Sequence, residues 1–197
     1  MPTTRTATLI IGGGLMGCWT ALMLRRAEPQ HAVLVLEKGM VGAQASGVNF
    51  GNLRIQGRHV GQLPLSVRAA EIWERLADFI PEDCEYDASG HLYAARDTAE
   101  EIAKVEKTAK EAAAHGVPTE LLESATLAAR FPWLRGFRMA SFSGRDAVAN
   151  PRLVTPAVAR AARRAGADIR EGVRAMGAVH AGRFRIETDQ GETIEAD

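Results

Sequence analysis

The stretch TATLIIGGGLMG at residues 6–17 decides the fold of this chain. Its first half is a short apolar run rich in β-formers, which predicts a strand buried on both faces, as in a parallel sheet. After the glycines, apolar residues recur at helical spacing up to about Arg26. A second buried strand, AVLVL at residues 32–36, ends at Glu37. Strand, glycine turn, helix and strand in this order predict a βαβ unit with a right-handed crossover.

The glycines of this stretch form a nucleotide-binding motif. Gly12, Gly14 and Gly17 match G-x-G-x-x-G, and Glu37 lies twenty residues after Gly17. Gly12 permits a tight turn, Gly14 lets a pyrophosphate approach the backbone, and Gly17 lets the helix pack close to the sheet. The helix N-terminus offers N–H groups to phosphates, and Glu37 is placed to accept hydrogen bonds from ribose hydroxyls. Glu37 would repel a 2′-phosphate, which disfavours NADP. The alternative is a glycine turn that binds nothing.

Composition limits the class of protein. The 197 residues include 24 basic and 24 acidic side chains, so the net charge is zero. This balance argues against a general nucleic-acid or anionic-membrane binder. The length fits one large domain or one and a half ordinary ones. No stretch approaches the roughly 20 apolar residues of a membrane span.

The cysteines indicate neither zinc nor a disulfide framework. Cys18 and Cys84 are far apart and form no CxxC pair, so no metal site is predicted and a cytoplasmic location is the default. Leu15 to Cys18 also mimic a lipoprotein cleavage site. We favour Cys18 as a small residue in a buried helix, because three glycines interrupt the supposed apolar core.

The rest of the chain predicts mixed structure. The spacing of apolar residues predicts helices over residues 69–80, 98–115 and 119–130, with a strand or hairpin at 86–95 and an extended segment at 139–147. The next helix begins at Pro151 or at Pro156, since each proline follows a capping residue. Strands are predicted at residues 167–169 and 173–179, and a hairpin turns at Gln190-Gly191.

Three motifs carry a resemblance to a known family. IIGGGLMG at residues 10–17, LVLEKG at 34–39 and GAQASG at 42–47 resemble the flavoprotein family of D-amino acid, glycine and sarcosine oxidases. NFGNL at 49–53 resembles the family segment that passes beside the flavin, and FPWL at 131–134 and residues 146–169 resemble later parts. The resemblance implies an α/β fold with an α+β insertion. Residues 1–55 and 141–197 would form an incomplete Rossmann-like FAD-binding domain, and 56–140 part of a substrate domain.

The resemblance also implies cofactor-binding residues. Backbone groups of the turn, from Gly12 to Gly17, would hold the pyrophosphate, with Leu15 and Met16 in direct contact. Gly13 belongs to the same cofactor-binding turn. Further positions in the family that contact FAD are matched by Glu37 and Lys38 (ribose), Ala45 and Ser46 (pyrophosphate or ribityl chain), Gly51, Asn52 and Leu53 (flavin), and Val173 (adenine). Many relatives have two adjacent glycines where this chain has Phe50-Gly51, and we expect Phe50 to face the core.

The expected activity is FAD-dependent oxidation of the C–N bond of a small amine or amino acid, of the D-amino acid, glycine/sarcosine or opine type. Oxygen or an electron acceptor would be the second partner, and an oligomer is possible. The alternatives are an NAD-dependent dehydrogenase and a non-catalytic dinucleotide-binding subunit. The long Gly/Asn/Ser loop after Glu37 and the mixed insertion favour FAD over NAD, because nicotinamide enzymes usually continue with βαβ units.

No catalytic residue is assigned from the sequence. Arg54, Arg58 and His59 follow the flavin-adjacent segment, and a surface or phosphate-binding role is the favoured interpretation of them. In the resembling family, the arginine that clamps the substrate comes after the point where this sequence ends. The chain is therefore expected to be an N-terminal portion, with the third strand of the nucleotide domain beyond Asp197.

Overall fold

The computed structural model describes residues 2–197 of the chain. Its helices are α1 (Leu15–Ala27), α2 (Leu63–Trp73), α3 (Ala99–Ala114), α4 (Ser124–Arg130) and α5 (Pro151–Arg164), with short 3-10 helices at Val60–Gln62 and Leu76–Asp78. Its strands are β1 (Thr3–Thr6), β2 (Thr8–Ile11), β3 (Val33–Glu37), β4 (Asn52–Leu53), β5 (His91–Ala95), β6 (Glu120–Glu123), β7 (Met139–Ser143), β8 (Ala147–Val148), β9 (Asp168–Glu171), β10 (Ala175–Ala181), β11 (Arg183–Thr188) and β12 (Thr193–Ala196).

The chain divides into two compact units. The first comprises the residues up to Phe50, Ala77–Cys84 and Asn150–Asp197, and the second comprises Gly51–Leu76 and Glu85–Ala149. No helix among residues 2–197 has the length and apolar character needed to cross a bilayer.

A three-stranded parallel sheet, in the order β2-β3-β9, organises the first unit. Strands β2 and β3 pair in parallel, and α1 connects them, so the predicted βαβ unit is present. All four apolar residues of β3 are buried, as expected for a strand covered on both faces. The third parallel strand is β9, which pairs with β3 through Val35 and Ile169. The expectation that this strand lies beyond Asp197 is therefore wrong.

A four-stranded sheet, in the order β1-β12-β11-β10, completes the first unit. Leu34 and Leu36 of β3 form one buried cluster with Val173, Ile186 and Ile194, so the two sheets share a core. The predicted hairpin around Gln190-Gly191 is confirmed as the antiparallel pair β11-β12. The single predicted strand at residues 6–11 is two strands, because residues 3–6 pair in parallel with β12 at the other end of the chain.

Helix α5 begins at the first of its two predicted starts. The Asn150 side chain accepts a hydrogen bond of 3.0 Å from the Arg152 N–H, and Pro151 occupies the first turn. Pro156 lies inside the helix. Gly166 follows the helix with φ of +95°, the left-handed conformation that commonly ends helices.

The second unit is built on the antiparallel sheet β5-β7-β6. The helix predicted over residues 98–115 is confirmed as α3, which Thr98 caps by accepting from the Glu101 N–H. The helix predicted over residues 69–80 is α2, which begins earlier than predicted, at Leu63, and ends at Trp73. Residues 120–123, predicted as helix, form β6, because they pair with β7 and bury Leu122 against Ala140.

Candidate functional site

The glycine turn of the first unit leaves the N-terminus of α1 open to an anion. Gly12 extends the pairing of β2 by donating to the Leu36 carbonyl (2.8 Å), and its φ of +110° favours glycine. Gly14 is the N-cap residue and supplies no side-chain cap, and the first turn of α1 contains no acidic residue. Helix N-termini usually recruit such groups to satisfy their N–H donors. Because neither Gly14 nor the first turn of α1 supplies such a group, the positive end of the helix is not neutralised by an acidic residue of its own.

Steric contacts account for two further glycines. A Cβ atom on Gly17 would lie 2.1 Å from the Gly12 carbonyl oxygen, so α1 packs directly on the turn only because that atom is missing. A Cβ atom on Gly13 would lie 2.9 Å from Cβ of Glu37. These contacts show why Gly13 and Gly17 are glycines in this fold, independently of any ligand.

Glu37 lies against the glycine turn. The Gly13 N–H donates to its Oε2 atom (2.7 Å), and the Gly39 N–H donates to its Oε1 atom (2.8 Å). An ionised carboxylate has about four lone-pair sites, so further donors such as ribose hydroxyls are accommodated. The Val173 N–H donates to the Glu37 carbonyl (3.0 Å), which brings the predicted adenine-side residue to the same place.

The loop at residues 42–47 folds onto the start of α1. The Leu15 N–H donates to Ser46 Oγ (2.9 Å), and the Gly42 N–H donates to the Gly13 carbonyl (3.0 Å). A Cβ atom on Gly14 would lie 3.0 Å from Ser46 Oγ, which is a second reason for glycine at that position. The loop therefore brings its predicted phosphate-contacting serine to the helix terminus.

The sequence-predicted residues divide between the two units. Around one end of the parallel sheet the first unit carries Gly12, Gly13, Gly14, Leu15, Met16, Gly17, Glu37, Lys38, Ala45, Ser46 and Val173. Gly51, Asn52 and Leu53 lie in the second unit, where Asn52 and Leu53 form β4 and pair with β8. The expectation that Phe50 faces the core is wrong, since its side chain is 96% exposed.

The donor set of the first unit fits a dinucleotide. It combines a helix N-terminus without an acidic residue in its first turn, glycines that carry no side chain toward the turn, and a carboxylate at the end of the neighbouring strand. Met16 and Lys38 are exposed beside this turn. Such an arrangement binds a pyrophosphate through backbone N–H groups and a ribose through the carboxylate.

Cys18 belongs to the helix core beneath this turn. It is completely buried, and its thiol donates to the Gly13 carbonyl (3.5 Å). Burial raises the pKa of this thiol to about 11. The prediction of Cys18 as a small buried helix residue is confirmed.

The second unit contains polar residues that sequence reasoning missed. Asp146 is 1% exposed and its Oδ1 atom accepts from the Ile55 N–H (2.8 Å), while Gln56 is fully buried. The Asp146 Oδ2 atom lies 3.9 Å from Nδ1 of His91. Burial raises the pKa of the Asp146 carboxyl and lowers the pKa of the His91 imidazole. No sequence signal marks these residues, because their roles depend on burial.

The chain is similar to known proteins of one family. A family model described as FAD dependent oxidoreductase matches residues 7–197. The chain belongs to the FAD-dependent oxidoreductase family. Family members bind FAD. A bovine (Bos taurus) FAD-dependent oxidoreductase domain-containing protein 1 is 30% identical over 154 residues, which are 72% of this chain and 31% of that protein.

Solved structures of this fold are similar over the whole chain. L-amino acid deaminase from Proteus myxofaciens has a TM-score of 0.89 at 24% identity and is covered over 44% of its length, with 100% of this chain. L-proline dehydrogenase from P. horikoshii has a TM-score of 0.89 at 23% identity, with 100% of this chain and 52% of that one covered. Glycine oxidase from Geobacillus kaustophilus has a TM-score of 0.88 at 23% identity, with 98% and 54% covered. The chain spans about a third to half the length of these relatives.

Proposed function

We propose that this chain is the FAD-binding portion of an oxidoreductase that oxidises the C–N bond of a small amine or amino acid. The observation that carries the proposal is the N-terminus of α1, which has no acidic residue in its first turn and no side chain at its N-cap, beside the Glu37 carboxylate. Backbone N–H groups at Leu15 and Met16 would face the pyrophosphate. Glu37, with Lys38, would hold the adenosine ribose.

The remaining cofactor contacts are part of the same proposal. Ala45 and Ser46 would contact the pyrophosphate or ribityl chain, and the backbone of Val173 would contact adenine. The contribution of Gly51, Asn52 and Leu53 to the flavin site stays a prediction. The division into an FAD-binding domain with an inserted part of a substrate domain, and the continuation of the protein beyond Asp197, belong to the proposal as well.

The substrate class rests on the family. Bound FAD would supply the redox chemistry as the acceptor of a hydride from the carbon that bears the amine. Similar structures include an L-amino acid deaminase, an L-proline dehydrogenase and a glycine oxidase, which supports an amino acid as the substrate. The D-amino acid, glycine/sarcosine or opine type of substrate stays a prediction. Oxygen or an electron acceptor would take up the electrons.

Cofactor choice is tested by titration of the purified protein. We expect FAD to bind with a change in flavin absorbance and fluorescence, and NADH not to displace it. A protein that binds NADH but not FAD would support the NAD-dependent alternative and refute ours. Failure to bind either FAD or NADH would support the alternative that the glycine turn binds no dinucleotide.

Activity is tested on the FAD-loaded full-length protein under anaerobic conditions with a panel of D- and L-amino acids, glycine and sarcosine. Bleaching of the flavin by one substrate class supports the proposed reaction. Stable FAD binding without bleaching by any amine favours the non-catalytic subunit. The codon after Asp197 is informative too, since an open frame is expected for the enzyme.

A further inference from the structure

Strand β10 leaves one edge of the four-stranded sheet without a neighbouring strand. It lies at the end of the order β1-β12-β11-β10 and pairs only with β11 among residues 2–197. Six of its seven residues, Met176 to Ala181, are exposed. Free edges of this kind present a row of backbone N–H and C=O groups, which is a template for another strand. The edge belongs wholly to the first unit and includes no residue predicted to bind the cofactor.

The strand has few of the features that protect such an edge. Natural proteins protect exposed edges with charged residues, prolines, very short strands or β-bulges. Strand β10 is seven residues long and contains no lysine, arginine, aspartate, glutamate or proline. Its one irregularity is a shift of register between Ala175 and Gly177, at the N-terminal end of the strand. The five residues from Gly177 to Ala181 therefore form a regular edge that is open to pairing.

Exposed apolar side chains lie along the same hairpin. Met176 is 63% exposed and Val179 is 66% exposed, and Phe184 of β11 is 46% exposed. The rings of His180 and Phe184 lie beside each other, with centroids 4.7 Å apart. Burying apolar surface of this kind is favourable, and contiguous exposed apolar residues mark sites of protein association. The edge is therefore suited to a protein partner that supplies a strand.

The charges of β11 favour a second copy of this chain as the partner. In the pair β10-β11, Val179 is opposite Arg185 and Gly177 is opposite Glu187. Antiparallel pairing of two β10 strands about Ala178 places Val179 of one copy opposite Gly177 of the other. Each of these rows runs from Arg185 of one copy to Glu187 of the other, and the two-fold symmetry produces the row twice. Opposite charges therefore end both rows, with no side chain on Gly177 between them.

A pairing about Val179 would be less favourable. Val179 would then lie opposite itself, and Arg185 would stand at both ends of that row. Charges three strand spacings apart, roughly 14 Å, are partly screened by salt, so they select the register more than they add affinity. We propose that β10 pairs with β10 of a second copy, antiparallel about Ala178, and joins the two four-stranded sheets into one. The contact is isologous, so assembly stops at two chains.

Self-association is tested by sedimentation velocity of the purified chain over a wide range of protein concentration. We expect a concentration-dependent equilibrium between one chain and two. Val179→Lys places a charge on the edge and should weaken the association at least about tenfold. The matched control is Leu65→Lys on α2, which changes another exposed apolar residue outside the sheet and should leave the equilibrium unchanged. A chain that is monomeric at every concentration, or that assembles beyond two copies, overturns the proposal.

Cysteine substitutions test the register of the pairing. Ala178 would lie directly opposite itself, with its two Cα atoms about 4.5–5.5 Å apart, which a disulfide can span. Ala178→Cys should therefore form a covalent dimer with oxidised glutathione. Val179→Cys should not, since its two Cα atoms would be roughly 8 Å apart. Cys18 and Cys84 are buried and should not compete. Cross-linking of Val179→Cys as readily as of Ala178→Cys, or of neither variant, overturns the proposed pairing.

Discussion

Replacing Gly17 by alanine tests the steric basis of the nucleotide turn. The added Cβ atom would lie 2.1 Å from the Gly12 carbonyl oxygen and 3.3 Å from Cγ2 of Ile10. Real Cβ contacts essentially never fall below 3.0 Å, so the separation must grow by about 0.9 Å (3.0 minus 2.1). The partner is backbone, and therefore either the first turns of α1 or the glycine turn itself has to move.

The expected loss follows from two opposing effects. Overpacking a tight contact costs about 1–3 kcal/mol, while alanine improves helix propensity over glycine by about 1 kcal/mol. The net destabilisation is therefore about 0–2 kcal/mol. A shift of this size in the first turn of α1 also displaces the backbone N–H groups proposed to hold the pyrophosphate. We expect FAD binding to weaken about tenfold or more, which corresponds to at least about 1.4 kcal/mol.

Stability is measured by urea denaturation followed by circular dichroism, and FAD affinity by flavin fluorescence. The matched control is Gly177→Ala on β10, where a Cβ atom would have no neighbour within 4 Å and the backbone φ is ordinary. That variant should change stability by no more than about 0.5 kcal/mol and leave FAD affinity unchanged. If both variants behave alike, the close approach of α1 to the turn does not determine the site.

Three other predictions address charge and burial in the first unit. A hydrogen bond from Arg164 lowers the pKa of Glu82 to about 2, from an ordinary value of 4.5. Because the pKa of Glu82 is lower in the folded state than in the unfolded state, its ion pair stabilises the fold above pH 4.5, and this stabilisation is lost as the pH falls toward 2. Glu82→Gln should lower the free energy of unfolding by about 1 kcal/mol at pH 7, a figure reduced for solvent screening. Urea denaturation across this range tests it, and a pH-independent difference would contradict the ion-pair origin. Glu37→Gln should weaken FAD binding about tenfold or more, because a charged acceptor beside Gly13 is lost; equal affinity in a fluorescence titration would exclude Glu37 from the site. Cys18 should react with iodoacetamide at pH 7.5 only after denaturation, since burial keeps it a neutral thiol; rapid native labelling, detected by mass spectrometry, would refute that burial.

Local sequence patterns predicted the parts of the fold that local contacts determine. The βαβ unit follows from two buried apolar runs and a glycine turn, all within residues 6–37. The start of α5 follows from the Asn150-Pro151 pair, whose capping hydrogen bond is local. Both are decided by residues close in sequence, so their patterns are readable without the fold.

Long-range pairing explains the errors. Thr3–Thr6 forms a strand only because β12, about 190 positions later, lies beside it. Residues 120–123 have helical character in isolation, yet their pairing with β7 buries Leu122 and makes them a strand. Neither partner is identifiable from a short window of sequence. The same holds for Phe50, whose exposure depends on what the surrounding chain covers.

In the candidate site, too, some features are readable from the local sequence and others depend on the fold. The residues of the glycine turn were identified because each satisfies a local backbone requirement, and the structure adds that Gly17 and Gly13 are required by packing within the protein itself. A glycine motif alone therefore does not demonstrate a ligand, since the fold needs these glycines in any case. What distinguishes a binding turn is the pair of features that the steric contacts do not require: a helix N-terminus without an acidic residue in its first turn, and a carboxylate with remaining acceptor capacity. Glu37→Gln keeps the side-chain volume but removes one of the two oxygens that accept from the Gly13 and Gly39 N–H groups, so measuring its stability together with its FAD affinity separates cofactor binding from the requirements of the fold.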